Sequence, residues 1–299
     1  MRTIHNAGHL AALITIMIWG TTFVSTKVLL LDFQPIEILF FRFAMGYAVL
    51  LLVYPHRLRV ARRKQELSFA LAGLTGICVY YLLENIALTY TQASNVGVII
   101  SVAPFFTAIL SKLMLKNEEK LKANFFAGFV IAMIGILLMS IQGTALQLNP
   151  IGDLLSLLAA FAWACYSVIT KKISGFGYHT IQTTRRVFAY GLAFMIPVLF
   201  LSDFNWDIIR FSHPEALFNI GFLGIGASAL CFVTWNFAVK VLGAVKTCVY
   251  IYLVPVITVI ASVLILHEQI TWISAAGIVL TMAGLFVSVS KPGKKDNAS

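Results

Sequence analysis

Runs of about 20 apolar residues recur along the whole chain, and this recurrence constrains the fold more than any single motif. A helix needs about 20 residues to cross ~30 Å of hydrocarbon, where every backbone polar group must be satisfied internally. Ten such runs stand out, at 10–30, 35–54, 67–90, 94–115, 123–141, 152–172, 181–201, 215–239, 244–266 and 271–289. Hydrophobic residues make up 60% of the chain and charged residues 11%, against about 25% charged in an ordinary soluble domain. A soluble fold could not hide so much apolar surface. The chain reads as an all-α polytopic membrane protein with ten transmembrane helices in a lipid bilayer. The first run follows Arg2 as a signal peptide would. It is too long, lacks a small-x-small cleavage site and recurs as a copy further on, so it is expected to remain as span one.

A formal net charge of +10 would suit nucleic acid, but its distribution argues otherwise. With the N-terminus in the cytoplasm, the inner connections and ends hold Arg2, Arg57, Arg59, Arg62, Arg63, Lys64, Lys112, Lys116, Lys120 and Lys122. They also hold Lys171, Lys172, Lys240, Lys246, Lys291, Lys294 and Lys295, whereas the outer connections hold Arg210 alone. That asymmetry is the positive-inside rule and puts both termini in the cytoplasm. The basic charge orients the chain in the plasma membrane, and no nucleic-acid partner is expected. Cys78, Cys165, Cys231 and Cys248 all fall inside spans and read as small buried hydrophobes, not as a disulfide or zinc framework. No HExxH, Walker or GxSxG pattern occurs, and the connections are short. No metal, cofactor or enzymatic activity is expected.

The chain is also one half written twice. A shift of 144 residues lays Trp19 on Trp163, Lys27 on Lys171 and Arg42 on Arg186. A shift of 151 lays Gly73 on Gly224, Asn85 on Asn236 and Pro104 on Pro255, and a shift of 149 lays Glu119 on Glu268, Gly128 on Gly277 and Gly135 on Gly284. Residues 1–146 and 147–290 thus form two five-helix repeats, followed by a basic cytoplasmic tail at 291–299. Five is odd, so the second repeat crosses the membrane upside down relative to the first, about a pseudo-two-fold axis in the membrane plane.

Ten spans as five plus five, a tryptophan in each first span, a proline in each fourth span, and Glu followed nine residues later by Gly ("EKLKANFFAG" and "EQITWISAAG") resemble the drug/metabolite transporter superfamily, specifically its EamA-type members. The resemblance covers nearly the whole chain. It implies a secondary carrier for small molecules working by alternating access, often an exporter of amino acids and related metabolites. Uptake, or carriage of drugs or other metabolites, is the alternative within that class; a membrane-embedded enzyme or receptor-like scaffold is the alternative outside it. The second repeat departs from the first where "AWACYS" replaces "IWGTTF", so the halves are not expected to contribute equally to a site.

Inverted repeats place substrate near the midplane where the halves meet. Trp19 and Trp163 fall mid-span, either as packing residues or as walls of a polar cavity that an indole N–H would favour. Thr22 lies one turn beyond Trp19, Tyr81 and Glu84 stack three apart on one face of span three, and Trp235 and Asn236 take the equivalent places on span eight. With Asn85, these residues are the expected substrate-binding set. Glu84 is the sharpest signal, because a charge at the centre of a membrane helix costs roughly 2.5–3.5 kcal/mol even on the lenient insertion scale. Either it pairs with Lys27 or Arg42 at similar depth, or it faces the cavity and binds a cationic group or a proton. Arg186 is the remaining charge-pair candidate. Pro104 and Pro255 read as fixed kinks or as hinges. The glycines of "GFVIAMIG" and "GIVLTMAG" read as close helix packing, internal or at a homodimer interface, while Glu119 and Glu268 read as helix-start carboxylates.

Overall fold

The structure is a computed structural model that describes residues 2–91, 93–115, 123–140, 149–202, 204–266 and 272–289. Glu119, Glu268 and the basic tail lie outside the described residues. Ten helical rods run through it: α1 (Arg2–Leu29), α2 (Pro35–Val53), α3 (Arg63–Tyr90), α4 (Ala93–Ile100 with Ala103–Met114), α5 (Ala123–Ser140), α6 (Pro150–Ser174), α7 (Thr180–Leu201), α8 (Pro214–Leu242), α9 (Ala244–Cys248, Val249–Tyr252 and Leu253–Leu266) and α10 (Trp272–Val289). Among the described residues, seven helices are long and apolar enough to span a membrane, and α5, α9 and α10 are shorter apolar helices. Their outward faces are apolar: Leu52, Phe200 and Leu201 are more than four-fifths exposed, as suits a surface whose solvent is hydrocarbon.

Local chemistry sets several helix starts. The Asn149 side chain accepts from the Ile151 and Gly152 amides at 3.1 Å, Pro150 takes the first helical position of α6, and Lys171 and Lys172 complement its negative end. At the start of α2, Pro35 does the same and Glu37 reaches back to accept from the Gln34 amide at 2.8 Å. Gly243, at φ +92°, lets α8 end and α9 begin within one residue, a conformation that side chains resist.

The packing exchanges partners between the repeats. Helix α1 lies against α8 and α9, while its mate α6 lies against α3 and α4; α2 packs on α8, and its mate α7 packs on α3. Every such contact recurs with the halves swapped, as a two-fold relation requires, and five helices per half reverse the direction of the second. The fifth helices, α5 and α10, pair lengthwise. A side chain on Gly128 would meet the Gly284 carbonyl at 2.5 Å, and one on Gly135 would meet the Gly277 carbonyl at 2.6 Å. The repeated glycines therefore serve an internal contact in which the two backbones touch.

Two irregularities repeat as well. Leu74–Val79 in α3 and Phe222–Leu230 in α8 are wound as π-helix, the widened turn that inserts an extra residue. Helix α4 breaks at Ser101–Val102 and α9 tightens into a 3₁₀ turn at Val249–Tyr252, each just before its proline. Proline clashes with the carbonyl four residues earlier, which accounts for the place of both breaks.

Candidate functional site

Where the first and third helices of the two repeats cross, aromatic rings fill the centre. Trp19 of α1 meets Trp163 of α6 edge-on at 5.1 Å between ring centroids, and Trp235 of α8 lies 5.1 Å from Trp19 and 5.7 Å from Trp163. Beside them is a cavity of about 30 Å³, room for about two waters. Its walls are Trp19, Thr22 and Phe23 from α1, Tyr80, Tyr81 and Glu84 from α3, and Trp163 from α6. Ile100 of α4 and Ile251 and Val254 of α9 close it, so the two helix breaks reach the cavity.

The indole N–H of Trp19 donates to the Ala227 carbonyl at 2.9 Å, inside the π-helical turn of α8. That turn displaces carbonyls from the regular ladder and leaves one to accept from the tryptophan. Among the described residues the Trp163 Nε1 hydrogen has no partner, which leaves a donor on a cavity-lining residue unused. Glu84 is 3% exposed, with the Tyr80 phenol one turn earlier in hydrogen-bonding reach. A hydroxyl in that place holds the carboxylate's shape without neutralising its charge.

Five of the residues expected at the site, Trp19, Thr22, Tyr81, Glu84 and Trp163, come together on this cavity. Three do not line it. The Asn85 side chain donates to the Pro35 carbonyl at 3.1 Å and ties α3 to the start of α2. Its mate Asn236 accepts from the Tyr166 hydroxyl at 2.7 Å and donates to the Thr184 hydroxyl at 2.9 Å, tying α8 to α6 and α7. Trp235, fully buried, packs behind Trp19 and Trp163.

The charge-pair candidates also sort differently from expectation. Lys27 donates to the Leu88 and Thr91 carbonyls at 2.8 and 3.1 Å, and its mate Lys171 donates to the Lys240 carbonyl at 3.3 Å. Each lysine thus caps the carbonyl end of its neighbouring third helix, where a cation is stabilised. Arg186 binds Glu66 of α3 at 2.5 Å, and Glu66 also accepts from the Tyr190 hydroxyl at 2.8 Å. Arg42 is 1% exposed; its Nε donates to the Ser228 hydroxyl at 3.0 Å and its guanidinium stacks 4.4 Å from the centre of the Tyr81 ring. Among the described residues neither Lys27 nor Arg42 forms an ion pair with Glu84, so the carboxylate meets the cavity without a salt-bridge partner.

Sequence reasoning missed Tyr80, Phe23, Ile100, Ile251 and Val254 in the walls, although the two aliphatic residues Ile100 and Ile251 are themselves related by the 151-residue shift. It also missed two latches at the ends of the bundle. At one end, Glu37 accepts from the Asn205 amide at 2.9 Å and pairs with Arg210 at 3.3 Å, while Phe33 stacks on Phe211 at 4.4 Å. At the other, Arg185 donates to the Tyr54 and His56 carbonyls, Tyr178 donates to Gln65, and Tyr54 stacks on His179 at 4.5 Å. Each latch joins the second–third connection of one repeat to the first–second corner of the other, so the small cavity is fastened at both ends.

Residues 6–141 and 150–290 each match the EamA-like transporter family. An uncharacterized transporter of Archaeoglobus fulgidus is 27% identical over 95% of this chain and 97% of its own. Proteins named "Probable amino-acid metabolite efflux pump" from Salmonella typhimurium and Escherichia coli are 27% and 25% identical, each over 93% of both chains. One solved crystal structure superposes with a TM-score of 0.74 at 19% identity, covering 95% of this chain and 96% of the other, a likeness of fold. With two family matches that fill the two repeats and a fold that swaps partners between them, this chain belongs to the EamA-like transporter family.

Proposed function

We propose that the protein is an exporter of small amine-bearing metabolites, amino acids or their derivatives, carried across the plasma membrane by alternating access with both termini in the cytoplasm. The observation that carries this reading is Glu84, a carboxylate without an ion-pair partner among the described residues, in the aromatic wall of a cavity between inverted repeats. An ammonium group suits it twice over: the carboxylate supplies charge, and the Trp19, Trp163, Tyr80 and Tyr81 rings supply π-faces to a cation. The names of the two efflux-pump relatives support the direction and the substrate class.

A cavity with room for about two waters is too small for such a substrate, and it is fastened at both ends. Transport therefore involves releasing one latch at a time, with α4 and α9 bending at the breaks beside Pro104 and Pro255. Purified protein in liposomes, loaded with an unlabelled amino acid and given labelled amino acids outside, should show exchange. Glu84→Gln keeps size and hydrogen bonding, and should cut that exchange by about tenfold or more with expression unchanged. Failure of any solute to move under any gradient, or wild-type exchange by Glu84→Gln at every pH, would sink the proposal.

A further inference from the structure

We infer that Arg42 is the anion-binding half of the substrate site, so that the protein selects zwitterions over simple amines. This rests on the reading of Glu84 as the amine subsite. Three observations support it. Among the described residues, Arg42 is the second-largest fully buried side chain, and its Nη2 has no hydrogen-bond partner. An unpaired guanidinium in such a place is expensive and normally draws a carboxylate to it. None of the described carboxylates pairs with it: Glu37 is taken by Arg210, Glu66 by Arg186, and Glu84 acts on it only through space.

The second observation is the repeat. Helices α2 and α7 start at Pro35 and Thr180, and Gly46 and Gly191 each abut the opposite third helix, so these helices correspond by 145 residues. Buried Val187 takes the place of Arg42, and Arg186, one residue before it, holds Glu66. The fold thus does not require a guanidinium at this place, and the vacant guanidinium edge of Arg42 is particular to the first half.

The third is location. One ring separates Arg42 from the cavity. Tyr81 lines the cavity, and the guanidinium of Arg42 lies over the Tyr81 ring at 4.4 Å. Ser228, which holds Arg42 by its Nε, sits in the π-helical turn of α8, the same turn whose Ala227 carbonyl binds Trp19. A rotation of Tyr81 brings the free guanidinium edge onto the cavity, where a substrate carboxylate can take two parallel hydrogen bonds. Glu84 then holds the ammonium and Arg42 the carboxylate, and a zwitterion neutralises both charges at once. An amine without a carboxylate satisfies Glu84 and leaves Arg42 unpaired.

The test compares each standard amino acid with its own amide, which keeps the ammonium and loses the carboxylate. Binding to detergent-purified protein is read by tryptophan fluorescence, since Trp19 and Trp163 line the cavity, together with the thermal midpoint. Wild-type protein should prefer at least one free acid over its amide by about tenfold or more. In Arg42→Gln the preference should fall to near unity through loss of acid binding, with amide binding kept. Arg42→Lys, which keeps the charge and loses the planar fork, should retain part of the preference, and it decides the matter if the glutamine variant does not fold. Equal weakening of acid and amide in these variants, or an unchanged preference, overturns the role of Arg42 alone. Wild-type protein that prefers amides also overturns it while leaving the amine subsite standing. Wild-type protein that binds neither acid nor amide overturns the amine reading and this one with it.

Discussion

Arg42 and Arg186 stand one residue out of step in two copies of one design, Val187 taking the place of Arg42, and live in different worlds. Arg186 is 40% exposed at its side chain, grips Glu66 at 2.5 Å and shares that acid with Tyr190. Arg42 is 1% exposed, rests on a serine hydroxyl and a tyrosine ring, and among the described residues leaves its Nη2 unused. The inversion explains part of the difference. A position near one face of the membrane in the first half lies near the other face in the second, and the neighbours it meets come from the opposite repeat. Repetition copies the helix, and a slip of one residue along it turns a side chain by about 100° toward other neighbours. A half-wet ion pair contributes little, whereas a dry charge without an acid partner is retained against its own desolvation.

The comparison breaks most visibly if both arginines are replaced by methionine. Arg42→Met removes a buried charge that lacks an acid partner, so the thermal midpoint should hold or rise, while exchange of zwitterionic substrate should fall about ten- to a hundredfold. Unfolding of Arg42→Met would show that the guanidinium is a structural pillar. The prolines should behave in the opposite way, as matched residues in matched settings. Pro104→Ala and Pro255→Ala should each keep binding and slow turnover severalfold to a similar degree, because restoring the backbone hydrogen bond stiffens α4 or α9. Wild-type rates in both would reduce these residues to fixed shape. The smallest effect belongs to Arg186→Met, which should lower stability by about 0.2–1 kcal/mol and leave substrate affinity within about twofold. A collapse of binding there would erase the contrast between the two arginines.

Much of this architecture is legible from periodicity and repetition. Span length, the ten runs and the inverted duplication follow from local apolar content, and Trp19, Tyr81 and Glu84 converge because first and third helices of the two repeats cross at the centre. The remainder depends on quantities that spacing does not encode. Asn85 follows Glu84 in sequence, but adjacent helical residues point about 100° apart, so one faces the cavity and the other the start of α2. Trp235 matches Glu84 in the 151-residue shift and is buried on the same face of its helix, but its ring packs against Trp19 and Trp163 and does not line the cavity. The Glu66–Arg186 contact joins residues 120 apart through the swap of partners between halves, and nothing local announces it. Lys27 looks like a counter-charge because it sits at the depth of Glu84; the carbonyl end of α3 lies at that depth too, and it is what the ammonium finds.

The glycine contact between α5 and α10 has a consequence for how such a chain can exist at all. The stripe on each helix is a half-groove whose complement is carried by the other repeat, with backbone meeting backbone at about the distance a methyl group would forbid. Taken singly, a five-helix half would present that stripe, along with the inward faces of its first and third helices, to lipid tails that cannot interlock with them. The halves are therefore obligate complements joined by a peptide link. Carrying both halves on one chain makes intramolecular a contact that would otherwise depend on concentration, and leaves each copy free to lack residues that the other supplies.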